Sequence, residues 1–231
     1  MRDKVSFFLP TRKGSLRVKN KNTRSFASFE GGLLENKLLQ LIQSKLIDEI
    51  ILSTNDEDCI TIAQKVMPSS DKLIVIKRPE HLCLDTTNLA DLIEYAPTIT
   101  DSNHILWGHV TTPLFSTTDY DEAIKIYLNK ITKGYDSLIS VVELKNFLLN
   151  AKGIVVNNTT DLPWPRTQDL ETLYEINHAV FLTSRDNYIH NKNRMGDKPY
   201  LYITNKIKSV DVDWEEDFKI AEIMYEKYYG I

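Results

Sequence analysis

The sequence predicts an α/β protein with a doubly wound, mainly parallel sheet and a small inserted β-rich lobe. Short apolar runs alternate with stretches whose apolar residues recur at helical spacing, which is typical of strand–helix–strand units. Right-handed crossovers in such units place the loops that follow the strands on one rim of the sheet. The apolar runs predicted as strands of this regular part are residues 5–9, 49–52, 73–76, 104–108 and 137–144.

Helices are predicted between these strands from apolar periodicity and capping residues. Residues 33–48 carry apolar side chains at helical spacing, and the polar run 53–56 is suited to cap a helix at 57–66. A helix over residues 85–95 is predicted to open at an Asp-Thr-Thr sequence. The remaining amphipathic stretches are residues 117–131 and 214–228, and the second is expected to close the fold.

The regular rhythm ends after about residue 144. A proline-stiffened loop at residues 161–166 then lies among shorter predicted strands. We therefore predict that residues 145–206 form an inserted lobe of a single domain, 1–231, and exposed strands and aromatic residues in such a lobe often serve a subunit interface. The predicted strands beyond residue 144 are 153–156, 178–183, 200–203 and 207–212.

Composition and charge fit a globular protein that folds around one sizeable core. The chain has 231 residues, 42% of them apolar and 26% charged. No apolar run approaches the ~20 residues that span a membrane, and the first run is too short for a secretory signal, so we expect a cytoplasmic protein. The net charge of -4 argues against general nucleic-acid binding. Cys59 and Cys83 are expected to pack in the core.

A basic loop, residues 10–24, follows the first predicted strand. Six cations lie between positions 12 and 24, and no acid follows until Glu30. Loops at the carboxyl ends of strands are where open α/β sheets bind ligands, and here a polyanion is expected. On its own, the loop also fits a solvated basic turn or a nucleic-acid patch. The residues predicted to hold phosphates are Gly14 and Ser15, through backbone N–H groups, and Arg12, Arg17 and Lys21, through charge.

An acid pair, Asp211 and Asp213, lies at the end of the last predicted strand. Residues two positions apart on a strand face the same side, so both carboxylates can meet one ligand. Magnesium takes one or two protein carboxylates and fills its shell with water and phosphate oxygens, so the pair is predicted to bind Mg²⁺. The alternative is that Asp213 caps the closing helix and Asp211 is a surface acid.

Five further polar residues lie in loops where a substrate is expected. Arg78 either reaches a phosphate or a base or is a surface arginine, and Asp85 either holds the substrate or caps a helix. His109 either contacts the second substrate or is a structural histidine. Arg166, with Gln168 beside it, either binds a substrate carboxylate bidentately or is exposed without a partner.

This combination predicts nucleotidyl transfer. A hydroxyl of the second substrate would attack the α-phosphorus of a nucleoside triphosphate in line. Magnesium and the cations would offset the charge on the departing pyrophosphate. Positioning and charge stabilisation can supply most of the rate, and no residue stands out as the base.

Six segments in the right order resemble the acylneuraminate cytidylyltransferases (CMP-sialic acid synthetases) and the related CMP-Kdo synthetases. Because the matching segments are spread over the whole chain, the resemblance is more specific than any one segment would be alone. The segments are Leu-Pro-Thr-Arg-Lys-Gly-Ser through Lys-Asn at 9–22, Leu-Ser-Thr-Asn-Asp at 52–56, Arg-Pro through Asp-Thr at 78–86, Thr-Thr-Pro-Leu at 111–114, Arg-Thr-Gln through Asn-His-Ala at 166–179, and Val-Asp-Val-Asp through Glu-Asp at 210–217.

The resemblance implies a Rossmann-like nucleotidyltransferase fold and a homodimer formed through the inserted lobe. It also implies transfer of CMP from CTP to the anomeric hydroxyl of an α-keto acid sugar, with Mg²⁺ and release of pyrophosphate. Arg12, Lys21 and Asp211 are expected to carry the catalysis. The resemblance assigns the nucleotide to Arg12, Ser15, Lys21, Asn22 and Arg78, the metal to Asp211 and Asp213, and the sugar to Arg166 and Gln168.

Several positions depart from the family pattern. Lys13, Leu16 and Arg17 replace Gly, Lys and Gly of the family's first loop, His109 replaces a sugar-contacting Gln, and His178 replaces the Gly of an Asn-Gly-Ala sequence. These changes predict an altered choice of sugar within an intact nucleotidyl-transfer frame. Two alternatives stay open: activation of a different sugar or a sugar phosphate, and a non-catalytic nucleotide-binding protein.

Overall fold

The computed structural model describes residues 2–15, 17–68 and 70–230. Within these ranges the chain forms a sheet of seven strands in the order β3-β2-β1-β4-β6-β5-β7. The sixth strand runs antiparallel to both its neighbours, and the other neighbouring strands are parallel. The strands are β1 (Val5–Pro10), β2 (Glu49–Thr54), β3 (Leu73–Lys77), β4 (His104–Trp107), β5 (Ser137–Leu144), β6 (Leu173–Ser184) and β7 (Pro199–Ile203).

Helices cover both faces of the sheet. Because successive strand residues point to opposite faces, Phe7 and Phe8 belong to two separate apolar cores. The core around Phe7 packs α1, α2, α4 and α6, and the core around Phe8 packs α3 and α5. The helices of the described ranges are α1 (Gly32–Ile42), α2 (Glu57–Val66), α3 (Leu89–Tyr95), α4 (Thr117–Ile131), α5 (Arg185–Asn191) and α6 (Glu215–Tyr229).

The predicted fold class is confirmed. The five predicted strands of the regular part are all present, and each ends within two residues of its predicted position. Cys59 and Cys83 are free and buried, as expected. Among the described residues, no helix has both the length and the apolar character required to cross a membrane.

Two predicted elements outside the inserted lobe are wrong, because their backbone groups bind partners other than those of the predicted strand or helix. Residues 206–209 form a turn and residues 210–212 are irregular, and the Val212 N–H donates to the Thr111 carbonyl at 2.8 Å. The helix predicted from Asp85 begins at Leu89, because Asn88 caps it by accepting from the Ala90 N–H at 3.2 Å.

The predicted lobe, residues 145–206, is divided between the sheet and a projection. The strands predicted at 178–183 and 200–203 lie in the central sheet as parts of β6 and β7, while the strand predicted at 153–156 is reduced to one bridge between Leu149 and Val155. The continuously buried stretch 179–183 of β6 explains its central position, because such runs are typical of strands buried on both faces. Residues 145–172, the projecting segment, connect Leu144 to its pairing partner Leu173.

Candidate active site

A cleft of about 560 Å³ opens beside the carboxyl ends of β1 and β4. Open α/β sheets bind their ligands at this rim, where neighbouring loops diverge. The cleft draws its walls from the basic loop, from the turn after β3 and from the segment after β4. Its polar and aromatic lining includes Thr11, Arg12, Ser15, Arg17, Lys21, Asn22, Arg78, Trp107, His109 and Thr111.

The basic loop is irregular, as predicted, and its backbone is fixed by polar contacts. Gly14 has φ +85°, a conformation that side chains disfavour. The Lys13 N–H donates to Asn55 Oδ1 at 3.0 Å, and Asn22 Nδ2 donates to the Arg12 carbonyl at 3.3 Å. Leu16, one of the altered loop positions, lies outside the described residues.

The basic loop meets the acid pair across the rim. Lys21 Nζ donates to the Val212 carbonyl at 2.8 Å and lies 3.6 Å from Asp213 Oδ1. The Arg17 guanidinium lies 3.2 Å from the same Asp213 oxygen. The structure therefore brings the early cations and the late acids together, as the sequence predicts. Their chemical roles stay predictions.

Asp211 holds a buried carboxylate oxygen that lacks a partner. No hydrogen bond reaches its Oδ1 atom from the described part of the chain. Burial raises the pKa of the Asp211 carboxyl, and nearby Asp213 adds to this rise. A hydrogen bond from Thr111 and the proximity of His178 and Lys21 oppose this rise. An unpartnered buried acceptor costs free energy, so a bound cation would stabilise this arrangement.

The acid pair therefore fits magnesium. The alternative that Asp213 caps the last helix is wrong, because Asp217 Oδ2 accepts from the N–H groups of Asp213 and Trp214 at 3.1 and 2.8 Å. No cluster of three or more possible metal ligands occurs in the described ranges. A pair suffices for Mg²⁺, whose remaining ligands are usually water and phosphate.

Arg12 and Asp85 form an ion pair at 2.6 Å. Asp85 therefore contacts the basic loop and does not cap α3. Both side chains are partly exposed, and exposed ion pairs contribute only about 0.2–1 kcal/mol. An incoming phosphate can therefore replace Asp85 on Arg12 at small cost.

Arg78 is a buried residue beneath the basic loop, and the surface-arginine alternative is wrong. Its Nη2 atom donates to the Thr11 carbonyl and, at 2.6 Å, to the Ser53 carbonyl, so it joins the ends of β1 and β2. Burial lowers the pKa of its guanidinium. Since Arg78 also lines the cleft, it can position the loop and face a ligand.

Two histidines, one just after β4 and one in β6, lie close together at the rim. The His109 and His178 rings have centroids 6.1 Å apart. Burial, followed by the positive charge of Arg194, lowers the pKa of His109 to about 3, so its ring is neutral near pH 7. His178 has φ +59°, at a bulge where the pairing of β5 with β6 shifts register. Glycine is the usual residue at a positive φ angle. The histidine in Asn-His-Ala, where the family has glycine, is the sequence signal that could have identified this position.

Arg166 and Gln168 lie in the projecting segment. Neither is among the described residues that line the cleft. The Arg166 guanidinium donates to both carboxylate oxygens of Asp169, at 2.8 and 3.1 Å. The alternative of an arginine without a partner is therefore wrong. Contact of Arg166 and Gln168 with a sugar stays a prediction.

Sequence reasoning missed two cations near the rim. Lys37 of α1 is fully buried, and its Nζ donates to the Thr112 and Phe115 carbonyls at 2.9 and 3.4 Å. A lysine within the apolar face of a predicted helix is a signal that could have found it. Arg194, in the connection between α5 and β7, contacts the rings of Trp107 and Phe181. No motif marks it.

The fold defines the class of protein. The chain is similar to a 4-diphosphocytidyl-2C-methyl-D-erythritol synthase from Anaerococcus prevotii, with a TM-score of 0.67 and 13% identity over 97% of this chain and 96% of that one. It is also similar to a CMP:2-keto-3-deoxy-manno-octonic acid synthetase solved with CTP, with a TM-score of 0.63 and 11% identity over 99% and 100% of the two chains. The architecture is the α/β fold of these nucleotidyltransferases.

The family follows from the sequence match. A family model described as cytidylyltransferase matches residues 7–228, so the chain belongs to the cytidylyltransferase family. The predicted resemblance is confirmed, and with it the assignment of the chain to a family of cytidylyl-transferring enzymes.

The chain is also similar in sequence to several characterised relatives. The N-acylneuraminate cytidylyltransferase of Escherichia coli O18:K1:H7 is 27% identical over 98% of this chain and 53% of its own length. The post-translational flagellin modification protein B of Campylobacter coli is 26% identical over 92% and 91%. The CMP-N,N'-diacetyllegionaminic acid synthase of Campylobacter jejuni is 24% identical over 92% and 91%. The chain spans about half the length of the N-acylneuraminate cytidylyltransferases that it matches.

Proposed function

We propose that this protein transfers CMP from CTP to the anomeric hydroxyl of an α-keto acid sugar of the nonulosonate type and releases pyrophosphate. The observation that carries the proposal is the meeting of Lys21 and Arg17 with Asp213 at the rim, beside the unpartnered oxygen of Asp211. The names of the relatives support an acidic sugar as acceptor. The product would serve surface glycan biosynthesis, and the cytoplasm is the proposed location.

The basic loop would hold the triphosphate. Arg12, Arg17 and Lys21 supply positive charge, and N–H groups near Gly14 and Ser15 supply hydrogen bonds to phosphate oxygens. Asn22 and Arg78 keep the loop in shape through their bonds to its carbonyls. When CTP enters, phosphate oxygens would replace Asp85 on Arg12 and Asp213 on Arg17, which frees both carboxylates at the rim.

The acid pair would hold Mg²⁺, which when bound offsets negative charge on the phosphates and the departing pyrophosphate. Lys21 orients this region because it contacts both the Val212 carbonyl and Asp213. The acceptor would lie toward His109 and His178. Neutral His109 can donate one hydrogen bond and accept another, so it suits a sugar hydroxyl or acyl oxygen.

Pyrophosphate release with a panel of substrates tests the proposal. CTP, UTP, ATP and GTP would each be offered with N-acetylneuraminic, legionaminic, pseudaminic and Kdo-type acids, and with a hexose 1-phosphate. We expect turnover with CTP and an acid, and a best acid other than N-acetylneuraminic acid. A best rate with N-acetylneuraminic acid refutes the altered sugar choice. Turnover with the hexose phosphate alone, or nucleotide binding without turnover, refutes the proposal.

Replacing Lys21 tests the nucleotide site. Lys21→Met should raise the KM for CTP about 10-fold or more, because a charge-assisted hydrogen bond to a phosphate contributes roughly 1.5–3 kcal/mol. Steady-state kinetics at saturating acceptor would measure the change. Lys19→Met, an exposed lysine of the same loop, is the control and should leave the KM unchanged. Equal effects of both variants would mean that CTP binding depends on the total positive charge of the loop and not on a specific contact of Lys21.

A homodimer is proposed through the projecting segment. It presents exposed apolar side chains, with Trp164 at 76% and Leu162 at 63% of their surface. Sedimentation velocity should therefore detect a dimer, and Trp164→Asp should shift it toward monomer. Ile223→Asp, on an exposed apolar residue of α6, is the control and should leave the dimer intact. A monomeric wild-type protein at micromolar concentration would contradict the proposal.

A further inference from the structure

One cation beside the cleft has no role in the chemistry described so far. The Cζ atom of Arg194 lies 3.7 Å from the centroid of the Phe181 ring and 5.2 Å from that of the Trp107 ring. Phe181 and Trp107 are paired residues of β6 and β4, so the guanidinium covers a fixed aromatic surface on the sheet. Cation–π contacts of this kind stabilise the charge through the ring faces.

Among the described residues, Arg194 lacks an acidic partner, unlike three other arginines considered above for phosphate or substrate binding. Arg12, Arg17 and Arg166 each face a carboxylate of the same chain. Across the part of the chain that the structure describes, Arg194 has neither an ion pair nor a side-chain hydrogen bond, and burial lowers the pKa of its guanidinium. A partly buried guanidinium keeps its charge, so its N–H donors favour an anion.

The position of Arg194 links it to the end of the cleft where the acceptor is proposed to lie. Trp107 and His109 line the cleft, and their ring centroids are 6.3 Å apart. After burial, the charge of Arg194 is the largest influence on the pKa of His109. Trp107 adds a buried Nε1–H donor that no described residue satisfies. Trp107 and His109 therefore belong to one wall of the cleft, and Arg194, which is not itself among the described residues that line the cleft, lies against Trp107 of that wall.

We propose that Arg194 binds the carboxylate of the acidic acceptor at this wall. The inference rests on the proposed function and adds the residue that recognises the acceptor's charge. A planar guanidinium fixed against two rings is pre-organised to donate two parallel hydrogen bonds to a carboxylate. The basic loop is proposed to bind the phosphates of the nucleotide, so Arg194 is available for the carboxylate of the acceptor. Arg166, already paired with Asp169, is the competing candidate.

Kinetics of Arg194→Met, Arg166→Met and Lys192→Met provide the test. Methionine keeps much of the apolar stem over Trp107 and Phe181 while removing the charge. Lys192, on the same connection and paired with Glu94 at 3.0 Å, is the matched control. The probes are CTP, the acid of the four-acid panel that the wild type uses best, and the carboxamide of that acid.

We expect Arg194→Met to raise the acceptor KM about 10- to 100-fold with the KM for CTP unchanged. The carboxamide should be a poor acceptor for the wild type, but the variant should no longer distinguish it from the acid. Lys192→Met should behave as wild type. Equal losses for acid and carboxamide, an unchanged acceptor KM, or a rise confined to Arg166→Met would overturn the role of Arg194. If the wild type used no acid at all, the proposed function itself would fail.

Discussion

Asp211→Asn should abolish most turnover while leaving the protein folded. The substitution keeps the size of the side chain but removes the negative charge that the proposed Mg²⁺ requires. Loss of one preorganised electrostatic group of this kind lowers kcat by about 100-fold or more. Folding should not suffer, because burial already disfavours the charged form of Asp211, as its raised pKa indicates.

Three measurements separate the possible roles of Asp211. Turnover of CTP and acceptor gives the catalytic effect, calorimetric binding of CTP shows whether the cleft persists, and thermal unfolding reports the fold. Glu216→Gln, an exposed acid at the start of α6, is the control and should retain full activity. Unfolding of Asp211→Asn would mean that the acid is structural, and unchanged turnover would remove it from the site.

Lys37→Met should destabilise the protein by about 2–4 kcal/mol, because two buried carbonyls lose their donor. Lys37 Nζ binds the Thr112 and Phe115 carbonyls and lies 2.8 Å from the Tyr120 hydroxyl. Its neighbour Gln40 donates to the Pro113 carbonyl at 2.7 Å. Helix α1 therefore holds the segment after β4. Urea unfolding of the variant would measure the loss.

The destabilisation should also depend on pH in a defined direction. Burial lowers the pKa of Lys37 to about 7 in the folded protein, against 10.5 for an ordinary lysine, while Asp119 opposes the shift. Between these values the unfolded chain binds the extra proton, so wild-type stability gains up to about 1.4 kcal/mol per pH unit as pH rises from 7. The gain should be absent in Lys37→Met.

Unfolding curves at pH 6, 7.5 and 9 would test this dependence. Lys45→Met removes an exposed lysine just beyond α1 and should run parallel to the wild type at every pH. Parallel curves for Lys37→Met and the wild type would mean that the buried amine stays charged throughout this range.

The fold was largely predictable because periodicity reports burial. Apolar runs such as residues 5–9 and 137–144 are buried strands, and they were recognisable without any tertiary contact. The run at 207–212 misled the prediction, since its apolar residues alternate as in a strand while its backbone bonds go elsewhere. The Val210 N–H donates to the Ile207 carbonyl, and the Val212 N–H donates to Thr111. Which partner a backbone group finds is a tertiary property.

The site was predictable to the extent that it follows from strand-end loops. Lys21 and Asp213 were expected on one rim, and the structure places them 3.6 Å apart. Arg194 could not be found in this way, because its meaning depends on the two rings that it covers and on the missing acid. The left-handed backbone at His178 was marked in sequence only by comparison with a glycine at that position.

The antiparallel direction of β6 determines where the chain can accept insertions. Because Leu144 ends β5 and Leu173 begins β6 side by side, the projecting segment departs from and returns to the rim of the sheet that carries the cleft. Additions or deletions there leave the sheet register untouched. If the proposed dimer forms through this segment, changes in its length or sequence can therefore alter the subunit contacts without disturbing the strands that hold the cleft.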